Sequence, residues 1–315
     1  PVSGISVQSG VRLISIDGGG VRGIIPATVL ATWEKEAGGS IDTAADLFVG
    51  TSTGAIIASG LARGMTAAEV SEVFAAQVEK AFTGAGRSLG TKLLSYRGWA
   101  LPAFSQGALR DVLTGIFGGQ MLADCRKPIS LLSFDLVTAT PTIFRSKHHG
   151  KAATDIPISL VDAILASTAA PVLFPSAQVA GSTFVDGSLW AANPTLVGLL
   201  DARDLLGTAD FSQIRMLSLG CGRPFWGGRL GFGQHRGLAG WGAPLVALTL
   251  SAQAEGIDSI ARKLLPQQSY LRINPSLPKS LSALDNPGNV PELMVYATKT
   301  AREQLSEMNR ILTES

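Results

Sequence analysis

Cysteine, histidine and charge are all scarce in this chain. Its 315 residues hold two cysteines, Cys125 and Cys221, which fit neither a metal-ligand spacing nor a disulfide framework, so reduced thiols and a cytoplasmic setting are expected. Charged residues make up only 16%, the net charge is +2, and the lysines and arginines are scattered. That leaves no basic patch and excludes a nucleic acid polymer as partner. No apolar run reaches 18 residues; the longest, near 188–200 and 243–250, are too short to span a bilayer. The start, Pro1-Val2-Ser3-Gly4, lacks a charged then apolar leader pattern. No Pro/Ser-rich linker or charge block divides the chain and no internal repeat is visible, so one domain over 1–315 is expected.

Apolar residues and glycine are plentiful. The chain is 46% hydrophobic and holds 36 glycines. Such a composition suits a large buried sheet, because parallel strands covered on both faces read as continuous apolar runs. It also suits a surface that touches lipid. Strand-like runs at 11–16, 45–49, 129–138, 141–145, 182–186, 214–219 and 269–274 alternate with helical patterns. These lie at 23–37, 54–63, 105–117, 159–167, 193–206, 244–264 and 290–313. Thr66 followed by Glu69 is a capping box that opens a further helix to about Phe82. The alternation predicts an α/β fold, with a mainly parallel central sheet and helices on both faces.

Two glycine-framed turns follow the first two strands. Gly50-Thr51-Ser52-Thr53-Gly54 has the form of a nucleophile elbow, in which a serine sits at a sharp strand-to-helix bend. In so glycine-rich a chain the bare pattern is weak. Gly86-Arg87-Ser88-Leu89-Gly90 matches too, but no strand precedes it, so Ser52 is the candidate nucleophile and Ser88 a loop residue. Gly50 and Gly54 support the bend.

The earlier turn, Asp17-Gly18-Gly19-Gly20-Val21-Arg22-Gly23, offers bare backbone N–H groups. It also satisfies G-x-G-x-x-G, with Asp42 about twenty residues on, which raises a dinucleotide site. A ribose-binding acid belongs at the end of the second strand, however, and that strand ends in the serine elbow. The better reading is acyl transfer, with Gly18, Gly19 and Gly20 as oxyanion donors. Arg22 either braces the loop or attracts an anionic head group.

The serine needs a base. His148 and His149 lie in a polar loop. His235 lies in a glycine-rich stretch, although Ser52, Asp186 and His235 do follow the chain order of a hydrolase triad. Asp186 ends an apolar strand and precedes Gly187, which permits a tight turn. A carboxylate shielded there would have a raised pKa suited to base work, making a two-residue dyad with Ser52. No metal or cofactor is implied. Aromatics at Trp99, Phe104, Phe225, Trp226, Phe232 and Trp241 stand in glycine-rich segments, as lipid-contacting side chains or as a lid over a satellite core.

Three ordered motifs resemble the patatin-like phospholipase family: Gly19-Gly20-Val21-Arg22-Gly23, Gly50-Thr51-Ser52-Thr53-Gly54 and Asp186-Gly187-Ser188. Ser167-Thr168-Ala169-Ala170-Pro171 with Phe174-Pro175 adds to the likeness, and the match covers about 11–220. One departure is Ser188, where the family usually has a small Gly or Ala. The resemblance implies a three-layer α/β/α fold and a phospholipase A type lipid acyl hydrolase. It implies a Ser52–Asp186 dyad without metal, a phospholipid or other acyl-ester substrate, and a peripheral, transient contact with membrane. The stretch Arg12–Ala27 also resembles bacterial patatins that act as anti-phage effectors switched on by cyclic nucleotides. That implies a cyclic nucleotide activator and a homo-oligomer as partners. The alternatives are a Ser-Asp-His esterase using His235 and a lipid-binding protein without catalysis.

Overall fold

A computed structural model describes residues 10–82, 102–207, 210–224 and 238–314. Its elements, in chain order, open with β1 (Val11–Ile16), α1 (Ile24–Ala37), the short α2 (Ile41–Ala44), β2 (Leu47–Thr51), α3 (Thr53–Arg63) and α4 (Ala67–Ala81). Next come α5 (Gln106–Phe117), β3 (Ile129–Asp135), β4 (Thr140–Arg145), α6 (Leu160–Thr168), β5 (Ala177–Val179), β6 (Ser182–Asp186) and the short α7 (Ser188–Ala191). The chain finishes with α8 (Thr195–Leu206), β7 (Ile214–Leu219), α9 (Leu238–Leu264), β8 (Tyr270–Ile273), α10 (Val290–Glu303) and α11 (Leu305–Leu312).

One eight-stranded sheet organises the fold. β2, β1, β7 and β8 lie side by side and parallel, and β3 joins β2 in the same sense. Alternate residues of β1 feed opposite faces. Ile14 and Ile16 enter one apolar cluster, and Val11 and Leu13 enter another. Burial on both faces is why this strand is apolar but for Arg12 and Ser15, and it requires helices on each side. The first face carries the larger core, including the fully buried Trp33 of α1.

The other side of the sheet is antiparallel: β4 and β6 both pair with β3, and β5 pairs with β6. β4 occupies one edge of β3 from Ser130 to Asp135. β2 therefore takes the other edge through Ile129–Leu132, and β6 takes that same edge through Ser133–Asp135. β2 and β6 run in opposite directions and meet end to end, with Thr51 opposite Leu132 and Asp186 opposite Ser133. This head-on junction places both strand C-termini at one spot.

The capping box is present: Thr66 Oγ1 accepts from Glu69 N–H at 3.1 Å, and the Glu69 carboxylate accepts from Thr66 N–H at 2.8 Å. The helix expected over 290–313 is two. Gln304 leaves helical geometry (φ −106°, ψ 5°), and α11 then turns to bury Met308, Ile311 and Leu312. The expected strand 129–138 stops at Asp135, whose carboxylate accepts the N–H groups of Val137 and Thr138 in a tight turn into β4.

Candidate active site

The elbow forms where β2 gives way to α3. Ser52 has φ 54° and ψ −129°, a strained conformation for a residue with a side chain. The neighbouring glycines make the bend sterically feasible. A Cβ on Gly50 would stand 2.4 Å from Gly54 O, and one on Gly54 would stand 2.3 Å from Ile16 O. The strain is held in place from both sides. Ser52 N–H donates to Ser167 Oγ (3.1 Å), and Ser167 Oγ–H donates to Leu132 O (2.6 Å). On the helix side, Ala55 N–H donates to Ser52 O (2.9 Å).

The end-to-end junction brings Asp186 beside Ser52, whose hydroxyl favours the ionised form of its carboxyl. Asp186 Oδ1 also accepts from Ser188 N–H at 2.8 Å, the first turn of α7. Asp186 is 2% exposed. Burial is the main influence on its acidity and pushes the pKa up to about 6, against the opposing pull of the Ser52 and Ser188 hydrogen bonds. Gly187 is required by the same junction, because a Cβ there would stand 2.4 Å from Leu132 O.

The glycine turn after β1 packs directly on this pair. A Cβ on Gly18 would lie 2.5 Å from Ser188 Oγ and 2.8 Å from Ser52 Cβ. Its amides are unequally engaged. Gly18 N–H donates to Ala192 O and Gly19 N–H donates to Thr53 Oγ1, both at 3.2 Å. Among the described residues no acceptor meets Gly20 N–H or Thr53 N–H, the latter opening the first turn of α3. Arg22 is buried and lowered in pKa by burial; it donates to Gly222 O at 3.1 Å, while its Nε has no partner among the described residues.

Ser52, Asp186, Gly18–Gly20 and Arg22 open on one cavity of about 1700 Å³. That exceeds the several hundred Å³ typical of small-molecule sites. One wall is apolar, from Ile56, Phe74 and Val78 to Leu113 and Phe117. Val172, Leu189 and Val246 line it and are themselves exposed.

Other features read from the sequence fall elsewhere. Asp42 pairs with Arg126 (3.3 Å). Phe104 turns inward, packing against Phe82 and Phe174 with ring centroids 5.0 and 5.4 Å away. Ser88, Trp99, Phe225, Trp226, Phe232 and His235 lie outside the described residues, as does the side chain of Trp241. Both cysteines are buried, and burial pushes each thiol up to about 12, so neither is a thiolate at neutral pH.

A second serine, histidine and aspartate do meet: Ser130 Oγ donates to Asp201 (2.7 Å) and lies 3.4 Å from His149 Nε2. Ser130 has no exposed surface, and Arg145 holds Asp201 at 2.9 Å, so this group ties β3 and β4 to α8. Among the described residues no three His, Cys, Asp or Glu side chains converge as a metal site, and no helix is long and apolar enough to cross a membrane.

Sequence reasoning missed the supporting polar contacts from Ser167, Ser188 and Thr53. All three lie within segments that carry the family likeness, which is the available signal, but nothing local there names their partners.

Comparison with known proteins gives the family. The patatin-like phospholipase family model matches residues 14–199. A cGAMP-activated phospholipase of Pseudomonas aeruginosa is 31% identical over 297 residues, covering 93% of this chain and 86% of that protein. A cUMP-AMP-activated phospholipase of Escherichia coli is 28% identical, covering 67% of this chain and 64% of that protein. Patatin-like protein 2 of Arabidopsis thaliana is 26% identical, covering 84% and 75%. The crystal structure of VipD from Legionella pneumophila shares the fold, with a TM-score of 0.53 at 15% identity, covering 96% of this chain and 67% of that one. The match of 14–199 across β1, the elbow and Asp186 places the chain in the patatin-like phospholipase family.

Proposed function

We propose that the chain is a lipid acyl hydrolase of phospholipase A type, working through a Ser52–Asp186 dyad. The observation that carries this reading is Ser52, held at a strained elbow beside the buried carboxylate of Asp186, with both opening on one large, mostly apolar cavity. Asp186 takes the Ser52 proton as Oγ adds to the ester carbonyl carbon. The bond to the alcohol or lysolipid oxygen then breaks, and that group leaves with the proton. Water attacks the acyl-enzyme and gives its proton to Asp186, and the proton returns to Ser52 as the fatty acid departs.

The oxyanion is met by Gly20 N–H together with Thr53 N–H, the residue after the nucleophile, while Gly18 and Gly19 N–H, held by Ala192 O and Thr53 Oγ1, join them only as those contacts open. The acyl chain lies along the apolar wall, and the unpartnered Nε of Arg22 faces an anionic head group. Exposed Val172, Leu189 and Val246 rest transiently on the membrane surface around the cavity. A fluorophosphonate probe should label Ser52 covalently in the wild type and fail to label Ser52→Ala, with fatty acid released from phospholipid vesicles only by the wild type. An unlabelled Ser52 would leave a lipid-binding protein without catalysis.

A second reading concerns control. Gly19 N–H is occupied by the Thr53 hydroxyl, so it joins the oxyanion hole only when that contact opens. An enzyme restrained in this way suits activation, and the relatives named for cGAMP and cUMP-AMP supply the activator class, a cyclic nucleotide. Assembly into a homo-oligomer belongs to the same reading. Full activity of the isolated protein without nucleotide would make it a constitutive lipase.

A further inference from the structure

The glycine turn is tied to the far edge of the sheet by one side chain that no motif contains. Arg272 lies on β8, 255 positions from Asp17, and is almost fully buried. Its Nη1 donates to Asp17 Oδ1 at 2.8 Å and to Ser218 Oγ at 2.9 Å, and its Nη2 donates to Asp17 Oδ2. Both carboxylate oxygens are thus taken by one planar fork.

Asp17 is the last residue before Gly18, and Gly18 packs against Ser52 and Ser188 with no room for a methyl group. The Asp17 backbone is fixed as well, by its N–H to Leu219 O (2.9 Å) and by the Cys221 thiol donating to its carbonyl (3.3 Å). A small tilt at Asp17 therefore moves the glycine amides relative to Ser52. A buried ion pair is a poor stabiliser, because desolvation cancels most of its attraction. What a two-pronged pair supplies is orientation, and lysine cannot reproduce that geometry.

We propose that Arg272 is a positioning residue for acyl transfer: by gripping both oxygens of Asp17 it fixes the Gly18–Gly20 amides over Ser52. The proposal rests on the acyl-hydrolase reading above. It is tested by comparing an oxygen ester with the matching thiono ester, which puts sulfur, a weaker acceptor, where the oxyanion forms. Well-placed amides favour the oxygen ester; general damage slows both substrates alike.

Arg272→Lys should lower kcat on the oxygen ester about 10- to 100-fold, short of the ~10²–10³-fold cost of deleting a donor. KM should hardly change, and the oxygen-to-sulfur rate ratio should fall by a similar factor. Asp17→Asn should collapse the same ratio and decides the matter if the arginine variant does not fold. Tyr270→Phe removes a neighbouring hydrogen bond from β8 to Asp258 (2.8 Å) and should leave the ratio unchanged. Equal slowing of both esters, or wild-type kcat in Arg272→Lys and Asp17→Asn, overturns the positioning role alone. A wild type that hydrolyses neither ester and resists labelling overturns the hydrolase reading and this proposal together.

Discussion

The two halves of the sheet contribute to the site in different ways. The parallel half supplies turns: β1 leads into the glycine loop and β2 into the elbow, each at the C-terminal end of a strand, where open α/β folds gather their ligand sites. The antiparallel half supplies a strand end from the opposite direction. β6 runs back along β3 and stops against β2, so Asp186 reaches Ser52 without belonging to a strand–helix crossover. The proposed donors and nucleophile are thus built from local sequence, whereas the proposed base depends on a junction between strands more than 130 residues apart in the chain. A site assembled in this way should fail differently depending on which half is disturbed.

The largest effects should come from the two proposed dyad residues, one from each half. Asp186→Ala removes the proposed base while leaving the elbow and the glycine loop in place, and should cost about 10²–10⁴-fold in kcat/KM on a soluble ester. Ser52→Ala should abolish turnover. Steady-state kinetics on both variants, with circular dichroism to verify folding, makes the comparison. Near-normal turnover in Asp186→Ala with loss in His235→Ala would move the base to His235 and remove the antiparallel half from the chemistry.

Much of the parallel half could be read from the sequence, and physical reasons separate what could from what could not. Ser52 and Gly18–Gly20 are marked by glycines where an added Cβ would stand as close as 2.2 Å to backbone, and such a demand leaves a pattern in the text. The capping box of Thr66 and Glu69 is local in the same way. Asp186-Gly187 was readable as a strand-end turn, but its meeting with Ser52 depended on a pairing that no local pattern encodes. The antiparallel edge itself, with β5, was not foreseen, because three residues of β-strand carry almost no periodicity. Ser167, Thr53 and Arg272 act through long-range hydrogen bonds, and a serine, threonine or arginine elsewhere in the chain would look the same. Phe104 stood among apolar and glycine-rich neighbours that fit a lipid surface; only packing against Phe82 and Phe174 showed it to be core.

The acidity of Asp186 sharpens the contrast between the halves. With its pKa pushed up to about 6 by burial, the carboxylate is ionised at neutral pH and protonated below. The pH profile of kcat/KM should therefore lose activity on the acid side of about pH 6, about tenfold per unit. The same shift acts on stability. In the unfolded chain this group loses its proton near pH 4, so between about 4 and 6 the folded state binds the extra proton. Stability consequently falls as pH rises through that window, by up to about 3 kcal/mol. Asp186→Asn should raise Tm at pH 7 and leave it nearly unchanged at pH 4. An unchanged Tm at pH 7 would mean that the dry carboxylate is not under strain.

The smallest expected effects come from the two hydroxyls that engage the elbow and its neighbouring loop. Ser167, from the α6 side, holds the Ser52 N–H and thereby the strained φ; Thr53, from α3, occupies Gly19 N–H. Removing either hydroxyl forfeits about 1–2 kcal/mol, or ~5- to 30-fold, but with opposite signs. Ser167→Ala leaves a buried N–H unpaired and lets the elbow relax away from its productive shape, so kcat should fall ~10-fold. Thr53→Ala frees a donor aimed at the developing oxyanion, so kcat without any added nucleotide should rise ~5-fold. The opposite signs are the informative part, because a purely structural role for both hydroxyls predicts a loss in each. A fall in both variants would mean that the Thr53 contact supports the active loop, leaving the activator to act elsewhere.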